Sequence, residues 1–101
     1  MEPVILDIRS KEEFSRGHLC GANHIETPLP PLSDKQLNKL YVTLFNLNIE
    51  KDTPIAVYCK KGVRSGIATN MLRDIGFKNV TDLGGITNQP LKKVYDKHHC
   101  M

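Results

Sequence analysis

The stretch Ile55-Ala56-Val57-Tyr58 is apolar and β-branched without a break, and it runs straight into Cys59. A run this short and this apolar reads as a strand covered on both faces. A tight loop follows, Lys60-Lys61-Gly62-Val63-Arg64, and a helical pattern begins at Ser65. The thiol therefore stands at the carboxyl end of a buried strand and faces a helix N-terminus. Backbone N–H groups and the positive end of the helix dipole favour negative charge there. Such surroundings lower a thiol pKa below its ordinary ~8.5 and yield a reactive thiolate near neutral pH. A thiol sealed in the core with its neighbouring amides turned away would have no such chemistry.

The rest of the chain repeats the strand-then-helix theme. Val4 to Ile8 reads as a first strand. Ser10 with Glu13 three residues on reads as a capping box, and Gly17 ends the short helix it opens. Gly21 to Ile25 is a brief strand suited to a sheet edge. Pro28, Pro30 and Pro31 make a stiff connection, after which Ser33 and Gln36 cap the longest helix. Leu37, Leu40, Tyr41, Leu44 and Leu47 form its apolar stripe and are expected in the core. Asn48 to Pro54 is a polar turn. The helix after the cysteine loop carries Ile67, Ala68, Met71, Leu72 and Ile75 on one face and stops at Gly76. Val80 to Leu83 forms another strand before Gly84-Gly85. A last helix is expected from about Pro90 to Lys97, with Leu91, Val94 and Tyr95 inward, and then a tail from His98 to Met101.

Alternation of this kind predicts one α/β domain over residues 1–101, with a mainly parallel central sheet flanked by helices on both faces. Ligands of such sheets bind beyond the carboxyl ends of the strands, where Cys59 and Gly84-Gly85 fall. A formal net charge of +3 is too small to argue for nucleic acid without a concentrated patch. No apolar run approaches the ~18 residues of a membrane span. Three widely spaced cysteines, Cys20, Cys59 and Cys100, do not suggest a disulfide framework, so a reducing, cytoplasmic setting is expected.

Asp7-Ile8-Arg9, Glu13-Phe14, Gly17-His18-Leu19 and Gly21-Ala22 resemble the opening signature of rhodanese-like domains. The loop Cys59-Lys60-Lys61-Gly62-Val63-Arg64-Ser65 resembles that family's active-site loop. Gly76-Phe77, Val80 and Leu83-Gly84-Gly85 resemble the segment after it, so the likeness runs in order from residue 4 to residue 86. Two departures stand out. The strand and helix that usually precede the Asp-x-Arg strand are missing, which predicts a domain shortened at its N-terminus, as a monomer or a homodimer. Ile86-Thr87-Asn88 replaces the aromatic residues that often follow the double glycine.

The resemblance implies a sulfurtransferase in which Cys59 takes a sulfane sulfur from a small anionic donor such as thiosulfate. Cyanide, a thiol or a protein acceptor then removes it. No cofactor and no metal are implied. Lys60, Lys61, Gly62, Val63, Arg64 and Ser65 would bind the donor, the cations meeting its negative charge and the loop amides cradling the sulfur. Asp7 and Arg9 are expected to support the loop, Asp7 by hydrogen bonding near it and Arg9 by pairing with Glu13. His18 is expected to support the fold. Three alternatives share these residues: a persulfide carrier, a regulatory rhodanese module, and a cysteine phosphatase or arsenate reductase. The last needs five residues between cysteine and arginine, whereas four stand between Cys59 and Arg64.

Overall fold

A computed structural model describes residues 3–86 and the pair Lys93–Val94. The first strand, β1 (Val4–Asp7), leads into α1 (Lys11–Arg16), and the short β2 (His18–Leu19) and β3 (Asn23–His24) follow. Next come α2 (Asp34–Asn46), β4 (Ile55–Cys59), α3 (Val63–Asp74), β5 (Val80–Gly85) and β6 (Lys93–Val94). Both expected capping boxes form. Ser10 and Glu13 close the start of α1, and Ser33 and Gln36 close that of α2. Each exchange satisfies two backbone donors that the first helical turn leaves without partners.

Four strands make a wholly parallel sheet in the order β3-β1-β4-β5, so the weak strand at residues 23–24 does lie at an edge. The chain runs from β1 to β3 on one side, then crosses to β4 on the other. The direction of winding therefore reverses between β1 and β4. A crevice opens at such a switch point, and the two carboxyl ends that flank it belong to Asp7 and Cys59. β6 pairs antiparallel with β2, placing Val94 opposite His18. Lys93 and Val94 are thus strand where a helix from Pro90 to Lys97 was expected; the other residues of that stretch, and the tail, lie outside the described ones.

Alternate residues of β1 and β4 face opposite sides. Leu6, Ile8, Ile55, Val57 and Cys59 join Leu40 and Leu44 of α2 and Ala68 and Leu72 of α3 in the main core. Both long helices therefore cover one face. Tyr58, Leu19 and Ile86 make a smaller cluster on the other, with Ile5, Ala22 and Leu83 against it. The α2 stripe is narrower than its spacing predicts. Leu40 and Leu44 are buried, but Tyr41 lies at the edge, its ring 5.3 Å from the Lys51 ammonium. A residue at the border of an apolar stripe has water on one side, and tyrosine, with its polar tip, suits that place.

Candidate active site

Cys59 ends β4 with its sulfur aimed at the first turn of α3. That helix begins at Val63, two residues before the expected start at Ser65. Its N-cap is Gly62, left-handed at φ 101° and with no side chain to cap the amides. The cysteine sulfur takes that role. Gly62 N donates to Sγ at 3.0 Å, and Ser65 N, the third amide of the helix, donates at 3.3 Å. The Ser65 hydroxyl lies 3.1 Å from the Gly62 carbonyl and 3.3 Å from that of Gly84. It is also within reach of the sulfur.

Burial alone would push the Cys59 thiol up. Hydrogen bonds from the Ser65 hydroxyl and from the Ser65, Gly62 and Lys61 amides outweigh burial and leave it below the ordinary value. The residue is only 1% exposed, so the sulfur sits at the foot of the loop with its amides turned toward it. Lys60, Lys61 and Val63 are exposed above it.

Gly85 forms the floor. β5 carries one extra residue between the partners of Val57 and Tyr58, which sets Gly84 opposite Tyr58 and Gly85 opposite Cys59. A Cβ on Gly85 would lie 2.6 Å from the Lys60 carbonyl oxygen and 2.8 Å from Lys61 Cα. The loop backbone can settle there only because no side chain exists.

The charged residues pair differently from the expectation. Arg9 does not meet Glu13. Its guanidinium folds back on Asp7, with Nη2 to Oδ2 at 2.7 Å and Nε to Oδ1 at 2.9 Å, and Nη2 also donates to the Gly17 carbonyl at 2.6 Å. The physical reason is burial: Asp7 is fully enclosed, and the nearest cation two residues along must neutralise it. Burial opposes the Arg9 charge, but the Asp7 bonds and charge more than offset this and raise its pKa. Asp7 does not touch the loop amides. It reaches the loop through Tyr58, whose hydroxyl donates to Oδ2 at 2.7 Å and accepts from Leu19 N at 3.0 Å. Burial first, then the Asp7 bond, raises the Tyr58 pKa above its ordinary value. His18 is a support, as expected: its ring stacks on Phe14 at 3.9 Å and its Nδ1 lies 2.9 Å from the Phe14 carbonyl.

Arg64 is the partner of Glu13. Nη1 and Nη2 donate to Oε1 and Oε2, each at 3.0 Å. The Arg64 hydrogen bonds hold the Glu13 carboxyl down at about 2 against burial, with the Ser10 amide helping. Its folded pKa is depressed, so its stabilising contribution is complete above the ordinary 4.5 and is lost as pH falls toward about 2. Acid unfolding followed by circular dichroism is expected to show this loss in that window. Glu13→Gln should flatten the pH dependence there; an unaltered slope would show that the pair does not act on stability.

Of the residues expected at the site, Gly62 and Ser65 are brought onto the Cys59 sulfur, Arg64 is turned to Glu13, and Asp7 with Arg9 is bonded to Tyr58, which had been given no role in it. A tyrosine inside an aliphatic buried run is the one local hint, since its hydroxyl must find a partner. Among the described residues no three His, Cys, Asp or Glu side chains gather as a metal site. None of the described helices is long and apolar enough to cross a membrane.

The rhodanese-like domain family matches residues 1–88. This chain belongs to that family. It is 35% identical over 80 residues to thiosulfate sulfurtransferase 16, chloroplastic, of Arabidopsis thaliana, covering 79% of this chain and 67% of that protein. It is 33% identical over 93 residues to the tRNA uridine(34) hydroxylase of Protochlamydia amoebophila, covering 90% of this chain but 28% of that one. Matches to an adenylyltransferase and sulfurtransferase of Ogataea parapolymorpha and an uncharacterized Bacillus subtilis protein span 19% and 55% of those proteins. A solved structure described as a rhodanese with anions from E. coli superposes with a TM-score of 0.73 at 25% identity, over 94% of this rhodanese-like domain and 100% of that chain.

Proposed function

We propose that this rhodanese-like domain is a sulfurtransferase that carries a sulfane sulfur as a persulfide on Cys59. The observation that supports it most is the convergence of the Gly62 and Ser65 amides on Sγ, at 3.0 and 3.3 Å. Those donors stabilise a thiolate before reaction and a persulfide anion after it. No general base is required once the thiol is ionised.

With thiosulfate as donor, the Cys59 thiolate attacks the outer sulfur. A new S–S bond forms, the donor's S–S bond breaks, and sulfite leaves with the electron pair. Cyanide then attacks the outer sulfur of the persulfide, releasing thiocyanate and restoring the thiolate. A low-molecular-weight or protein thiolate can take the sulfur in the same way. Two displacements through a covalent intermediate give ping-pong kinetics. Lys60 and Lys61 supply the positive rim that attracts a dianion and steadies the departing sulfite. The enclosure of Cys59 favours a small donor. The cycle needs Cys59 reduced, and it is free, whereas Cys20 is disulfide-bonded, against the expectation drawn from the cysteine spacing. A cytoplasmic setting remains part of the proposal for the Cys59 cycle alone.

A persulfide carrier serving a protein acceptor would use the same steps. The phosphatase reading is disfavoured by the length of the loop, in which four residues rather than five separate Cys59 from Arg64. Thiosulfate and cyanide mixed with the protein are expected to yield thiocyanate. Mass spectrometry should find one added sulfur on the Cys59 peptide, and Cys59→Ser should abolish both. Hydrolysis of p-nitrophenyl phosphate without any persulfide would overturn the proposal.

A further inference from the structure

Arg64 stands where a guanidinium could meet an anionic sulfur donor, yet both of its terminal nitrogens are occupied. Each donates to a separate oxygen of Glu13 at 3.0 Å, a fork-to-fork pair with directional as well as electrostatic strength. Glu13 is anchored in turn, because its Oε1 also accepts from Ser10 N at 3.1 Å within the α1 capping box. The two side chains remain 32% and 23% exposed, so dissolved anions can reach the pair. Ion pairs at that depth have modest net strength and can be exchanged. Arg64 directly precedes Ser65, whose amide touches the thiol sulfur at 3.3 Å. The Arg64 and Cys59 side chains also act on one another's charge, so what neutralises Arg64 sets the charge felt at the mouth of the site.

We propose that Glu13 is a positioning residue that sets donor specificity: its carboxylate holds the Arg64 fork at rest, and an oxyanion donor must take that fork from it. The inference rests on Cys59 being the sulfur-accepting thiol and adds what limits the preference for anionic donors. With Glu13 in place, Arg64 and Glu13 nearly cancel as seen from the thiol, leaving Lys60 and Lys61 to attract the donor. Without that carboxylate, the fork is released as an uncompensated cation beside the sulfur. Glutamine suits the test because the α2 cap already uses one: Ser33 N donates to Gln36 Oε1 at 2.9 Å. Glu13→Gln should thus keep the α1 cap while removing the charge.

The experiment alkylates Cys59 with iodoacetate and with iodoacetamide, reagents of nearly equal size of which only the first is anionic. The ratio of the two rate constants cancels any change in thiolate fraction. In Glu13→Gln the ratio is expected to rise about three- to tenfold at low salt, as one extra nearby cation would produce at a surface dielectric. Added salt should shrink the gain, and Glu13→Gln combined with Arg64→Gln should remove it. For thiosulfate, KM should fall in Glu13→Gln by more than kcat changes. Glu13→Ala should move the ratio the same way if glutamine disturbs α1. An unchanged ratio in folded Glu13→Gln and Glu13→Ala, or a gain that survives loss of Arg64, overturns the proposal. Alkylation does not depend on sulfur transfer, so a raised ratio without any persulfide would refute the sulfurtransferase reading and leave the role of Glu13 standing.

Discussion

Asp7→Asn is expected to destabilise the fold by about 3–5 kcal/mol, the usual consequence of removing one partner from a buried ion pair. Asp7 has no exposed surface, and Arg9 is 5% exposed. The carboxylate accepts from Arg9 N, Nε and Nη2 and from the Tyr58 hydroxyl. Asparagine keeps the shape but offers a single acceptor oxygen, and its NH2 would face donors. The Arg9 charge would then stay buried with no counter-ion. Single-domain proteins are stable by only ~5–15 kcal/mol, so a loss of this size consumes much of the margin. Urea titration should show it as a lower midpoint at constant slope. Tyr58→Phe tests the same network at smaller scale. It strands the Leu19 amide and removes one acceptor bond from Asp7, for an expected loss of ~1–3 kcal/mol. If Asp7→Asn shifts stability by less than Tyr58→Phe, the charge is not what the network depends on.

The contrast between Asp7 and its neighbours shows what a sequence can and cannot reveal. Both capping boxes are local, set by residues three apart, and both were legible. So were the buried strand before Cys59 and the glycine stop of α1. The Arg64–Glu13 pair and the Tyr58–Asp7 bond each join residues 51 positions apart, and no periodicity carries that information. Arg9 illustrates the resulting error: it was expected to pair with Glu13, while burial imposed Asp7. The start of α3 was misplaced for a related reason: the helix begins at Val63 behind a Gly62 cap, and Ser65, where the helical pattern was read to begin, lies within its first turn, fully buried. The lysines and Val63 of the loop are exposed, as a mouth requires, whereas the depth of Cys59 itself came from tertiary packing.

Gly85→Ala should cost more sulfur-transfer activity than any loop-lysine substitution, although it adds one methyl group to a residue that bears no chemistry. Its Cβ would stand 2.6 Å from the Lys60 carbonyl oxygen and 2.8 Å from Lys61 C and Cα. All three are backbone atoms, so no side-chain rotation can relieve the overlap. Either β5 moves away from β4, or the loop lifts. β5 is tied to β4 through the Cys59–Gly85 register and to α3 through the Ser65–Gly84 bond, so the loop is the part expected to yield. Lifting it withdraws the Lys61 and Gly62 amides from Sγ, and these help to hold the thiol below its ordinary pKa. Burial, which acts upward, would then go less opposed. A rise of one pKa unit is about 1.4 kcal/mol and leaves roughly a tenth of the thiolate at a pH below both values. Iodoacetamide alkylation across pH should therefore show the Cys59 midpoint moved upward, with the rate of persulfide formation from thiosulfate reduced at pH values below that midpoint. Helix content should change little, since neither core cluster includes Gly85. An unshifted midpoint with full activity would mean that the loop does not depend on this contact, and that its amides are held over the sulfur by α3 alone.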